Sequence, residues 1–94
     1  MNSYELLYIL DGSLEEEARE AVISKLNAIV TDNGGEIEGV DKWGMKKFAY
    51  TINFKNEGYY VLVNFKSAAT VPAELDRVMG ITDSVVRSMV IKKN

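Results

Sequence analysis

Apolar and polar positions change their period along this chain, and the changes divide it into six pieces. "YELLYIL" at 4–10 is short and rich in β-forming residues, which predicts a strand closed by Asp11-Gly12. Ser13 with Glu16 three residues on has the spacing of a capping box, so a helix is expected from there. Its stripe is read as Leu14, Ala18, Val22, Leu26 and Ile29, and "DNGG" at 32–35 stops it. A long extended segment, 36–54, follows, with a bulge expected at Gly44. "KNEG" at 55–58 is read as a hairpin turn and 59–66 as the returning strand. Thr70 as N-cap and Pro72 in the first turn predict a second helix, with Leu75, Val78 and Met79 on its apolar side and Gly80 at its end. "VVRSMVIKK" at 85–93 is the last strand.

The order β-α-β-β-α-β defines an α+β, ferredoxin-like fold: a four-stranded antiparallel sheet with two helices on one face and the other face open. One domain spanning 1–94 is expected, with no internal linker. Because side chains alternate along a strand, each strand can be split by face. The helix-facing sets are Leu6, Tyr8 and Leu10; Phe48, Tyr50 and Ile52; Val61, Val63 and Phe65; and Ser88 and Val90. The open-face sets are Glu5, Leu7 and Ile9; Lys47, Ala49 and Thr51; Tyr60, Leu62 and Asn64; and Arg87, Met89 and Ile91. Leu7, Ile9, Tyr60, Leu62 and Met89 thus form an apolar centre on the open face, a surface expected to meet a protein partner.

Composition narrows the chemistry. The 94 residues include no Cys and no His, which removes thiol nucleophiles, disulfides, thiolate metal sites and the usual near-neutral acid–base. The acids at 15–20 sit where helix capping and solvation explain them, and no phosphate-cradling or calcium-loop spacing occurs. The expectation is a non-enzyme with no cofactor, no metal and no small-molecule substrate. No apolar run reaches the length of a membrane span, and the N-terminus lacks a signal-peptide pattern, so a soluble intracellular protein without a membrane partner is expected.

Charge adds a direction. The net charge is -3, yet residues 1–41 hold ten acids and two bases, while 42–66 hold five bases and one acid. Lys42 to Asn56 contains four lysines, no acid and the only Trp. By charge alone such asymmetry fits two readings, a solvated lysine-rich hairpin or a face for a polyanion.

"WGMKKFAYTI" followed by "EGYYVLVNF" resembles the family of the sixth small-subunit ribosomal protein of bacteria. That family carries a Gly, basic residues and Leu-Ala-Tyr; here stand Gly44, Lys46 and Lys47, then Phe48, Ala49 and Tyr50. "YELLYIL" matches its start, and Val86 to Lys93 its end, so the resemblance runs the length of the chain. Phe48 replaces the usual Leu, and Met45 and the lysines stand where many members have arginines, which keeps charge but loses the bidentate fork. The resemblance implies a cytoplasmic, ribosome-bound structural protein. It implies pairing with the eighteenth small-subunit ribosomal protein and binding of the central domain of 16S ribosomal RNA by the pair. Lys46, Lys47, Arg87, Lys92 and Lys93 are the candidate phosphate contacts. Two other classes share the fold. One is an RNA-recognition motif binding single strands unaided, for which Tyr8 and Tyr59 would have to be exposed. The other is a ferredoxin-like oligomerising or sensor module.

Overall fold

The computed structural model describes residues 1–52 and 55–93. The elements are β1 (Asn2–Asp11), α1 (Glu16–Asp32), β2 (Glu36–Ile52), β3 (Lys55–Ser67), α2 (Thr70–Gly80) and β4 (Val85–Lys92). They form one antiparallel sheet in the order β2-β3-β1-β4, the β-α-β-β-α-β arrangement predicted from the sequence.

The helix-backed face holds the core. Leu6, Tyr8 and Leu10 of β1 and Val61, Val63 and Phe65 of β3 pack against Ile23, Leu26 and Val30 of α1 and Val71, Leu75, Val78 and Met79 of α2. Tyr4 stacks on Phe65 with ring centres 5.4 Å apart. The period-two split of β1 and β3 is therefore as read. The α1 stripe is displaced: its buried line is Ile23, Leu26 and Val30, with Leu14, Val22 and Ile29 at the margins, and Ala18 is exposed.

Both helix starts differ from expectation. Ser13 donates its backbone N–H and its hydroxyl to Asp11 Oδ1, at 3.0 and 2.8 Å. That small turn consumes the capping group, and α1 begins at Glu16 behind Glu15 with no side-chain cap. Thr70 lies inside α2 instead of ahead of it; Ala69 is the N-cap position, again without a side-chain bond. The C-terminus of α1 is as expected. Gly34 adopts φ +81°, Gly34 N–H donates to Thr31 O, and Gly35 N–H donates to Val30 O. These are the two bonds of a Schellman cap.

β2 is where alternation fails. Its register against β3 slips at Ile37/Gly39, at Lys42/Gly44 and at Lys47/Ile52. Gly44, at φ +90°, is the bulge the sequence suggested. An extra residue reverses which face the following side chains take. Phe48 accordingly lies against Tyr60 on the open face (ring centres 6.4 Å apart), and Tyr50 is 74% exposed, so neither is a core residue as the simple alternation had it. Ala49 and Thr51 are exposed, whereas the side chain of Ile52 and all of Asn53 and Phe54 lie outside the described residues. "KNEG" is not a turn: Ile52 already pairs with Lys55, and Lys55–Gly58 belongs to β3.

Candidate interaction surface

Cross-strand register sorts the open face into rows. One row runs Trp43 and Gly44 at the bulge, then Tyr60, Ile9 and Arg87; the next runs Asp41, Leu62, Leu7 and Met89. Glu5, Asn64 and Ile91 follow toward the far end. Leu7, Ile9, Tyr60, Arg87, Ser88 and Met89 line a hollow of about 490 Å³. Met89 is 50% exposed, whereas Ile9 is buried on this helix-free side. Gly58 shows why: a Cβ there would stand 2.4 Å from Ile9 Cγ2 and 2.9 Å from the Phe48 ring. The missing side chain lets Phe48 lie down over β3 and close the sheet beside Ile9. The five apolar residues assigned to this face are all there.

The aromatic strip at the β2 side was not foreseen. Trp43 is 44% exposed, its ring nearly parallel to Tyr60 (10°) with centres 6.3 Å apart. Its indole N–H donates to Asp41 Oδ2 at 3.2 Å. Lys46 Nζ stands 5.9 Å from the centre of the same ring. The strip's one signal in the sequence is Gly44; the pairing of β2 with β3 is what shows that the bulge adds a residue and brings Phe48 and Lys46 to this face.

The basic residues divide into paired and unpaired. Lys42 binds Glu20 of α1 at 2.6 Å, and this partner raises its pKa. Lys55 binds Asp11 at 3.0 Å, Lys66 lies 3.6 Å from Glu38, and Arg77 binds Glu74 at 2.6 Å. The Ser13 N–H and then Lys55 hold the Asp11 carboxyl below its usual range. Among the described residues, none of the five candidate cations Lys46, Lys47, Arg87, Lys92 and Lys93 has an ion-pair partner. They do not gather at one point. Lys46 and Arg87 flank the aromatic row from opposite sheet edges, and Lys93, whose Nζ donates to Asn64 Oδ1 at 2.9 Å, joins the open face farther along. Lys47 sits opposite Glu57, so alternation takes its side chain to the side Lys46 does not take; on the open face Phe48, Tyr60 and Arg87 border a smaller hollow of about 190 Å³ at the hairpin. Lys92 pairs with core residue Tyr4 across β1 and follows the helix-side alternation. The side expected of Lys47 thus belongs to Lys46.

Tyr8 is fully buried, and Tyr59 is half-buried with the Arg19 guanidinium 4.1 Å above its ring. The exposed pair that a standard RNA-recognition motif would need is absent at those two positions. Among the described residues no group of three or more acids is placed to hold a metal, and no helix is long and apolar enough to cross a membrane.

An α+β sheet with one face packed and the other a half-exposed apolar and aromatic platform edged by unpaired cations defines a protein built for surface contact. The comparisons with known proteins carry this to a family. Residues 3–92 match the family model described as ribosomal protein S6. Small ribosomal subunit protein bS6 of Clostridium acetobutylicum is 52% identical over 91 residues, covering 97% of this chain and 96% of the relative. That of Alkaliphilus oremlandii is 52% identical over 92 residues, covering 98% and 97%. The crystal structure of 30S ribosomal protein S6 from Thermotoga maritima superposes with a TM-score of 0.93 at 29% identity, covering 98% of this chain and 87% of that one. The chain belongs to the ribosomal protein S6 family, and is a structural, non-enzymatic component of the small ribosomal subunit.

Proposed function

We propose that this chain pairs through its open sheet face with the eighteenth small-subunit ribosomal protein, and that the pair binds the central domain of 16S ribosomal RNA in the cytoplasm. One observation carries the reading: the apolar hollow of Leu7, Ile9, Tyr60 and Met89 adjoins cations that the chain itself leaves unpaired. The hollow suits a protein side chain. Lys46, Arg87 and Lys93 suit phosphate, with Lys47 and Lys92 as contacts from the opposite side of the sheet. The net charge of -3 makes the isolated chain a poor RNA ligand, so affinity has to come from a basic partner.

The test is filter binding of central-domain RNA by the chain alone and by the heterodimer at matched salt. The heterodimer is expected to bind far more tightly; equal affinities would overturn the reading. In a salt series on the heterodimer, Lys46→Ala should flatten the dependence of log affinity on log salt by about one unit, as loss of one phosphate contact does. Lys42→Ala should leave it unchanged, because Glu20 already neutralises that ammonium.

A further inference from the structure

We propose that Trp43 is a stacking platform for one unpaired nucleobase of the RNA, with Lys46 taking the phosphate of the same nucleotide. The inference rests on the RNA reading above and gives it a residue-level contact of a different kind from phosphate neutralisation. Three observations support it. Trp43 remains 44% exposed although it lies within a strand, and exposing an indole is unfavourable unless something covers it. It is held in place: Asp41 Oδ2 accepts the indole N–H and Tyr60 lies nearly parallel beside it, so the ring is ordered before a ligand arrives. Lys46 Nζ, at 5.9 Å from the ring centre, is at the outer limit of cation–π range, and among the described residues it has no acid partner. A cation held so loosely can leave the ring for a phosphate at little cost.

Charge decides between a nucleotide and an apolar protein side chain at this end of the face. Two cations, Lys46 and Arg87, lie along the aromatic strip, with Arg87 bordering the same hairpin hollow as Phe48 and Tyr60. The opposing charge beside the ring is Asp41, whose carboxylate is engaged by the indole N–H and which lies across the sheet from Arg87, on the opposite edge strand. A phosphate is therefore directed toward Lys46, away from Asp41. The apolar hollow toward β4 shares Tyr60 and Arg87 with the strip, but among the described residues its cation does not lie over a ring as Lys46 does over Trp43, and Leu7, Ile9 and Met89 make it the place for the protein partner. Every base offers a π-face, so the contact carries no base preference of its own.

Trp43 is the only Trp in the chain, so its fluorescence reports the site directly. Hexauridine and hexaadenosine should quench it at low salt, whereas duplex RNA of equal phosphate content should not. In the heterodimer, Trp43→Ala should weaken central-domain RNA binding roughly tenfold, Trp43→Phe should restore most of it, and affinity for the protein partner should not change. Equal quenching by duplex and single strands, or parental RNA affinity in Trp43→Ala, would overturn the proposal. So would loss of protein pairing in place of RNA binding, which would mean that the partner covers the indole. Failure here is distinct from failure of the RNA reading. A silent Trp43 beside an altered salt slope for Lys46→Ala removes only the stacking; unchanged affinity and slope in both Lys46→Ala and Arg87→Ala remove the RNA reading as well.

Discussion

Leu6 and Leu7 are chemically identical neighbours on β1, yet Leu6 is buried under the helices and Leu7 lines an open hollow. Tyr8 and Tyr60 repeat the contrast: Tyr8 is enclosed, and Tyr60 lies half-exposed between Trp43 and Phe48. One face of the sheet uses its apolar groups to hold the fold together. The other presents similar groups unsatisfied, which is useful only if something docks there. Hydrophobic content alone does not distinguish the two; what covers each face does.

The contrast can be broken from the packed side first. Phe65 is fully buried and stacked on Tyr4, so Phe65→Ala should cost about 3–5 kcal/mol in urea unfolding. A cost below about 1 kcal/mol would mean that this face is no more a core than the other. Gly58→Ala attacks the one place where the open face behaves like a core. The new Cβ would collide with Ile9, with the Phe48 ring and with Leu10 O, at 2.4, 2.9 and 3.0 Å. The expected loss is about 1–3 kcal/mol, as in overpacked interiors, with Phe48 pushed outward. Parental stability would show that Phe48 is not seated there.

Titration probes the enclosed tyrosine, Tyr8. Burial, and secondarily the negative charge of Glu20, raises the Tyr8 pKa far above its ordinary value. Below about pH 10 the hydroxyl is protonated in both folded and unfolded chains and contributes no pH dependence. Above that, the unfolded chain releases the proton while folded Tyr8 keeps it. Stability therefore falls as pH rises, by about 1.4 kcal/mol per pH unit from this residue. Tyr8→Phe should remove that share of the loss between about pH 10 and pH 11, read by urea unfolding across that range; an unchanged pH dependence would mean that Tyr8 is not enclosed. The smallest effect on folding is expected from Leu62→Asp, below about 1 kcal/mol, because the side chain already meets solvent. On the proposed pairing, the same substitution should weaken binding of the partner protein, read by heterodimer affinity beside the melting temperature. A large loss of stability without selective loss of pairing would place Leu62 in the core.

Local pattern was enough for the element order, the strand faces of β1 and β3, and the glycine-capped end of α1. Each depends on interactions within a few residues or on a strict period of two, and both can be read from neighbours in sequence. The apolar residues Leu7, Ile9, Tyr60, Leu62 and Met89 could be placed on the open face for that reason. The helix starts could not, since Ser13 had a competing local acceptor in Asp11, which β1 and Lys55 hold in place. Nor could the far half of β2. A bulge is visible as a glycine, but whether it adds a residue, and so reverses Phe48 and Lys46, depends on pairing with β3. The division of the lysines was also beyond the sequence. Lys42 and Lys46 stand four apart in the same basic stretch, and only the packing of α1 across β2 brings Glu20 to the first and leaves the second its charge. The sequence determined which groups this protein carries and on which elements; tertiary structure decided which of them neutralise one another and which remain free to bind, because that depends on distances between residues far apart in the chain.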